Sequence, residues 1–240
     1  MTGSANIDTV YLINVRSFTE RLAHTNAQLA RFGINAEPVH EWDATDLTPA
    51  VESKYFNRCD LSPGQKSCGM KHVAALQRIV ERGERYALVL EDDVVLADGF
   101  AEGVAAALTE APQYPQPQVI FIGCGGNFYT PRSLRKPGQR LYPANRGRFA
   151  DSYIIGHEAA RLRLEWITRH RISRPIDNQF EEIDRVAGIT MLWLEDPVVE
   201  QGSKLGLFTT TLEPAKPGWL QRLLFNLERI RRKYVYQIWR

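Results

Sequence analysis

Tyr86-Ala87-Leu88-Val89-Leu90 runs directly into Glu91-Asp92-Asp93, after which Val94-Val95-Leu96 is apolar again. An unbroken apolar run of this kind reads as a strand buried on both faces, as in a parallel sheet. The three adjacent carboxylates at its end cannot all be buried unpaired, because stripping water from each charge is too costly. They face water, a sheet-edge crevice or a cation. Open α/β sheets bind ligands in the crevice at the carboxyl ends of their strands. A divalent metal holding a phosphate-bearing substrate is therefore the leading expectation. The plainer alternative is a helix cap or a solvated turn, the role that Asp98-Gly99 suggests a few residues later.

Working outward, residues 9–15 read as a buried first strand, and residues 17–32 as a helix with Ser17 as N-cap, Glu20 completing a capping box and Gly33 closing it. Residues 35–42 follow as a short strand. This β-α-β opening implies a parallel sheet. The best-marked helix lies between residues 60 and 83: Ser62 caps it, Pro63 takes the first helical position, Gln65 completes a capping box and Gly83 ends it. Beyond the acidic strand the pattern predicts a helix over 101–110, a strand over 119–123, a short strand over 152–155, helices over 158–169 and 175–185, and a last strand over 190–194. Residues 128–148 lose all periodicity and crowd Arg132, Arg135, Lys136, Arg140, Arg146 and Arg148 among prolines and glycines. That stretch reads as a solvated loop or a substrate lid. The expected fold is α/β with a mostly parallel central sheet: one domain over 1–212 and a basic tail over 213–240.

The 240-residue chain is 44% hydrophobic, enough for one sizeable core. Its formal charge of +2 argues neither for nor against nucleic acid, which is not among the expected partners. Cys59, Cys68 and Cys124 form an odd set without a Cys-x-x-Cys spacing, so neither a disulfide framework nor a zinc site is indicated. Met1 to Asn6 lack the charged and apolar regions of a signal peptide, and no run approaches the roughly 18 apolar residues of a membrane span. A cytoplasmic location is expected, with attachment to the inner face of the cytoplasmic membrane as an option. The tail supports that option. Leu220, Leu223, Leu224, Leu227, Ile230 and Tyr234 make an apolar stripe at helical spacing. Arg222, Arg229, Arg232, Lys233 and Arg240, with Trp219, Tyr236 and Trp239, suit an anionic membrane surface over residues 219–240. A helix packed on the domain would show the same pattern.

Four segments, residues 10–47, 61–100, 152–160 and 175–211, together resemble glycosyltransferase family 25, whose members add sugars to bacterial lipooligosaccharide and have relatives acting on collagen. The most specific piece is Leu61-Ser62-Pro63-Gly64-Gln65-Lys66-Ser67-Cys68-Gly69-Met70-Lys71-His72, followed by Leu90-Glu91-Asp92-Asp93. Tyr153-Ile154-Ile155 and Pro175-Ile176-Asp177 add to it downstream. The resemblance implies a GT-A-type, Rossmann-like domain that binds a nucleotide sugar, most often UDP-galactose, and a divalent cation, usually Mn2+ with Mg2+ as the alternative. It further implies a saccharide or lipid-linked glycan acceptor and an inverting reaction. The chain departs from the family at Gln65, where an acid is usual, and at Lys71, where a serine is usual. Those departures bear on acceptor choice or on a contact around the site.

Such a transfer needs a metal on carboxylate ligands, a base for the acceptor hydroxyl and a grip on the nucleoside. Asp93 is the first choice for metal contact, and Asp92 or Glu91 would take ribose hydroxyls or a metal-bound water; the roles of Asp92 and Asp93 could be exchanged. Asp177 is the first choice for the base, with Glu181 four residues on along one helix face. Asp177 could equally cap its segment or act as a second metal ligand, and Glu181 could belong to a solvated face. Asn14, Arg16, Arg21 and Asp43 lie at the ends of the first two strands, where base, ribose and phosphate would be held. His72, Tyr153 and Gln201 complete the expected donor contacts. Two other classes share carboxylates after a strand: a metal-dependent nucleotidyltransferase or phosphohydrolase, and an inactive assembly protein of the membrane surface. No Walker-type Gly-rich loop is present.

Overall fold

A computed structural model of the chain describes residues 6–205, 207–208, 226–228 and 230–235. In chain order the elements are β1 (Thr9–Ile13), α1 (Thr19–Ala30), β2 (Glu37–Val39), α2 (Pro49–Tyr55), α3 (Pro63–Arg82), β3 (Tyr86–Glu91), β4 (Val94–Leu96) and α4 (Phe100–Glu110). Then come β5 (Gln118–Phe121), β6 (Leu141–Pro143), β7 (Ser152–Gly156), α5 (His157–His170), α6 (Ile176–Val186), β8 (Thr190–Leu194) and β9 (Val199–Gln201). The central sheet has seven strands in the order β2-β1-β3-β7-β5-β8-β6. β7 and β6 run against the others, so the sheet is mostly parallel, as expected.

The apolar runs are continuous because both sheet faces are covered. Tyr11 and Ile13 of β1, with Ala87 and Val89 of β3, pack under α3, α5 and α6. The alternating Val10, Leu12, Leu88 and Leu90 pack against Leu29 of α1 and Phe100 and Leu108 of α4. Side chains alternate across a strand, so a helix on each face demands apolar residues at every position.

α3 forms as its sequence dictates. The Ser62 hydroxyl accepts from the Gln65 amide, the Gln65 side chain accepts from the Ser62 amide, and Gly83 closes the helix in the left-handed region at φ 65°. α1 departs from expectation. Its N-cap is Phe18 and no side chain caps it, because the Phe18 amide bonds back to Val15 and holds Ser17 inside a turn. β2 is also shorter than expected. The carbonyls of His40 and Glu41 accept from the Lys71 ammonium and that of Trp42 from the Ser67 hydroxyl, so the chain leaves the ladder after Val39.

The aperiodic stretch over 128–148 is neither a free lid nor simply solvated. It contributes the edge strand β6, which at three residues ending in Pro143 is too short to show a period. The buried Arg148 guanidinium donates to the carbonyls of Gly123, Phe128 and Leu194, and Phe128 stacks on Trp193. Most of the expected tail helix lies outside the described residues; residues 226–228 and 230 are helical and Arg231–Val235 form a π-helical turn. Among the described residues no helix is long and apolar enough to cross a membrane.

Candidate active site

β3 delivers Glu91 to the carboxyl edge of the sheet, and the turn at Asp92-Asp93 leads into β4, which pairs with β9. Glu91 and Asp93 line one cleft of about 280 Å³ with Arg21, Gln65, Cys68, Asp151, Asp177, Gln201, Ser203 and Lys204. Four carboxylates therefore converge from three places in the chain. β9 brings Gln201 alongside Val94, and the Gly202 amide donates to the Asp93 carbonyl at 2.5 Å. A side chain at position 202 would collide with that carbonyl.

Asp151 was not foreseen in the sequence. It precedes β7, which is antiparallel to both neighbours, so the start of β7 lies at the edge where β3 and β5 end. The Glu91 amide donates to the Asp151 carbonyl at 2.9 Å. Gly123 makes room for it: a Cβ there would stand 2.3 Å from the Ser152 hydroxyl and 2.8 Å from the Asp151 carboxylate.

The other expected residues divide between the cleft and its supports. Arg21, Gln201 and Asp177 line the cleft. Asp92 does not; it is turned toward α1, where its carboxylate accepts from Asn14 Nδ2 at 2.7 Å and pairs with Arg21 at 3.3 Å. Asn14 is thus buried as the partner of Asp92. His72 and Tyr153 are fully buried behind Glu91, with Nδ1 of His72 3.1 Å from the Tyr153 hydroxyl. Asp43 accepts from Arg16 Nε at 2.8 Å and pairs with Lys71 at 2.7 Å, which engages Arg16 and Asp43 outside the cleft. Glu181 is likewise taken up elsewhere, by the Gly147 amide at 3.1 Å and Arg185 at 2.8 Å. Four residues along α6 place Glu181 near Asp177 in sequence, but the loop over 128–148 claims its carboxylate.

The electrostatics follow from burying acids together. Burial, with Asp93 and Asp92 alongside, pushes the Glu91 carboxyl up to about 8. Burial and Glu91 push Asp177 up to about 6, against the hydrogen bond from the Ala150 amide. Burial and the facing acids raise Asp151 well above the usual carboxylate range. His72 goes the other way, burial lowering it to about 4. The donor set suits a hard divalent cation: one buried carboxylate oxygen on Asp93 and one on Asp151 have no hydrogen-bond partner among the described residues.

A stability prediction follows. Where the folded-state pKa of an acid is raised, the folded chain holds more protons than the unfolded one, so stability falls as pH rises through that window. His72, lowered, acts in the opposite sense between about 4 and 6.5 and is level above. Glu91 and Asp151 both act in the first sense, so from pH 6.5 to 8 the melting temperature of the cation-free protein should fall. The increment given by an added divalent cation should grow over the same range, because carboxylates bind metal when ionised. Thermal melts at a series of pH values check this; an increment independent of pH would refute it.

Residues 7–123 match the family model of glycosyltransferase family 25, described as LPS biosynthesis protein. The lacto-N-neotetraose biosynthesis glycosyltransferase LgtB of Neisseria gonorrhoeae is 26% identical over 173 residues, covering 65% of this chain and 59% of its own. A glycosyltransferase 25 family member of Drosophila melanogaster is 23% identical over 130 residues, covering 49% of this chain and 21% of its own. The chain thus spans under two thirds of the length of either relative. Among solved structures, a glycosyltransferase involved in glycosylation of the major capsid of PBCV-1 aligns over 91% of this chain and 98% of its own, with 10% identity and a TM-score of 0.46. The family match runs from β1 through β5, just under half of the chain, and includes both the capped α3 and the acidic turn that ends β3; over that stretch the chain is similar to glycosyltransferase family 25.

Proposed function

We propose that this protein is a cation-dependent, inverting glycosyltransferase. It would transfer a hexose, with galactose from UDP-galactose as the leading donor, to a saccharide or lipid-linked acceptor in lipopolysaccharide, lipooligosaccharide or another surface glycan. The observation that carries the reading is the convergence of Glu91, Asp93, Asp151 and Asp177 on one cleft that also holds Arg21 and Lys204. The match of residues 7–123 to the family model supports it. Asp93 and Asp151, each with an oxygen lacking a partner among the described residues, would hold the cation, with Glu91 beside them; Mn2+ is favoured and Mg2+ is the alternative. When bound, the cation acts as a Lewis acid that stabilises charge on the departing diphosphate. Arg21 and Lys204 add positive charge at the cleft wall, where phosphate oxygens would lie.

Asp177 accepts the proton of the attacking acceptor hydroxyl. Its Oδ1 is fixed by the Ala150 amide at 2.5 Å, which sets the orientation of the carboxylate. With a pKa of about 6 it is mostly ionised at neutral pH, whereas Glu91 at about 8 is mostly protonated without a cation. Asp177→Asn should spare donor affinity and lower kcat about 10²–10³-fold. Calorimetry and initial rates check this together; an unchanged kcat would remove Asp177 from the role.

The test of the whole reading is calorimetric titration of UDP-galactose, UDP-glucose and UDP-N-acetylglucosamine with and without Mn2+. A chain that binds none of them in a cation-dependent way is not this enzyme. The tail would hold the enzyme to an anionic membrane. In support, Leu227, Ile230 and Tyr234 are each more than half exposed beside Arg231. Flotation with anionic and neutral vesicles tests it, and equal recovery with both would refute it.

A further inference from the structure

Cys68 and His72 stand one turn apart on α3, and both face the Glu91 carboxylate. Cys68 Sγ lies 3.7 Å and His72 Nε2 3.4 Å from the same oxygen, Oε1. The three donor atoms all fall within 4.8 Å of one another. Zinc bonds of about 2.3 Å to sulfur and about 2.0 Å to nitrogen and oxygen place tetrahedral ligands roughly 3.3–3.5 Å apart. The two spacings to Glu91 already approach those edges. The second ring nitrogen of His72 meets the buried Tyr153 hydroxyl at 3.1 Å, an arrangement that fixes the ring and leaves Nε2 toward Glu91. Metal-binding imidazoles characteristically have such an outer partner. Cys68 and Glu91 both line the cleft, which provides an entry path and a fourth position for water.

We propose that Cys68, His72 and Glu91 form a site for a thiophilic divalent cation of the zinc or cadmium class, separate from the oxygen-donor site at Asp93 and Asp151. Thiol and imidazole donors select such ions, whereas Mn2+ and Mg2+ prefer an all-oxygen shell. Glu91 stands between the two sites, so a thiophilic ion would compete with the hard cation for it. The cysteine spacing in the sequence gives no zinc motif because one donor comes from β3 and two from a helix. The inference stands on the donor geometry and does not depend on the transferase reading.

Cobalt(II), a spectroscopic substitute for zinc, tests it without any turnover assay. One equivalent added to the full chain should give the intense visible absorption of tetrahedral cobalt and a near-ultraviolet thiolate charge-transfer band. Zn2+ should displace it and Mg2+ should not. Cys68→Ser should abolish the charge-transfer band and weaken binding by more than the roughly 10–100-fold that loss of an outer partner causes. Cys59→Ser and Asp93→Asn should keep the band. A wild-type chain without the band overturns the proposal, as does a band that survives in Cys68→Ser. Loss of the band in a folded Asp93→Asn variant would place cobalt at the carboxylate site and overturn it as well.

Discussion

On the proposed function, replacing Asp93 by asparagine is expected to lower turnover about 10³-fold and to remove the cation dependence of donor binding, while the fold stays intact. A metal acting as a Lewis acid supplies several kcal/mol of transition-state stabilisation, and about 4 kcal/mol corresponds to that factor. The Asp93 backbone is held by the Gly202 amide whatever the side chain, and its buried Oδ1 has no partner among the described residues to lose. Asp93 also helps to raise both Glu91 and Asp151, so the neutral amide relieves repulsion. The cation-free variant should therefore melt slightly higher than the parent as activity falls. Asp92→Asn gives the contrast. Its carboxylate is engaged by Asn14 and Arg21, so stability should suffer and cation dependence should remain. Calorimetry of UDP-galactose with and without Mn2+, paired with thermal melts, separates the two variants. Cation-dependent binding that persists in Asp93→Asn would move the metal elsewhere.

The second large effect is on stability. Arg163 of α5 and Asp184 of α6 are both 0% exposed and form a two-point pair, with Nε to Oδ1 at 2.8 Å and the terminal nitrogen to Oδ2 at 2.6 Å. The guanidinium also lies 4.0 Å from the Phe180 ring centre and 5.3 Å from that of Tyr153. Those rings flank His72, so the pair sets the floor beneath Glu91. Asp184→Leu leaves a buried cation without its counter-charge and should cost about 3–5 kcal/mol. That is a large fraction of the roughly 5–15 kcal/mol by which a domain is stable. Arg163→Met combined with Asp184→Leu should recover much of the loss, because a well-packed apolar pair carries no desolvation penalty. Urea unfolding of the single and double variants measures both. A single variant within about 1 kcal/mol of the parent would show that solvent reaches the pair.

The difference between legible and hidden parts of the site has a physical basis. Ser62, Pro63, Gln65 and Gly83 announced α3 because caps act through bonds within a few residues of one another. Glu91 and Asp93 share the cleft because the turn at Asp92-Asp93 sends the Asp92 carboxylate to Asn14 and Arg21 instead. Cys68 and His72 carried a local signal too, four residues apart on one helix face. Asp151 carried none. An acid before a strand reaches the ligand-binding edge only if that strand runs antiparallel between two parallel ones, and sheet order joins segments some sixty residues apart. Glu181 failed for the same reason in reverse, since its partner Gly147 lies in a loop with no period.

By itself the sequence determined that apolar strands alternate with capped helices, that the sheet is mostly parallel and buried on both faces, and that an acidic turn ends one of its strands. Those features depend on side-chain period, capping bonds and the cost of burying charge, all of which act over short stretches of chain. Only the tertiary structure decided which acids share a cleft. It brought Asp151 and Asp177 to Glu91 and Asp93, withdrew Asp92 and Glu181 into supporting bonds, and set a thiol and an imidazole against Glu91. Proximity across a sheet is fixed by strand order and direction, and neither is written in the residues that meet.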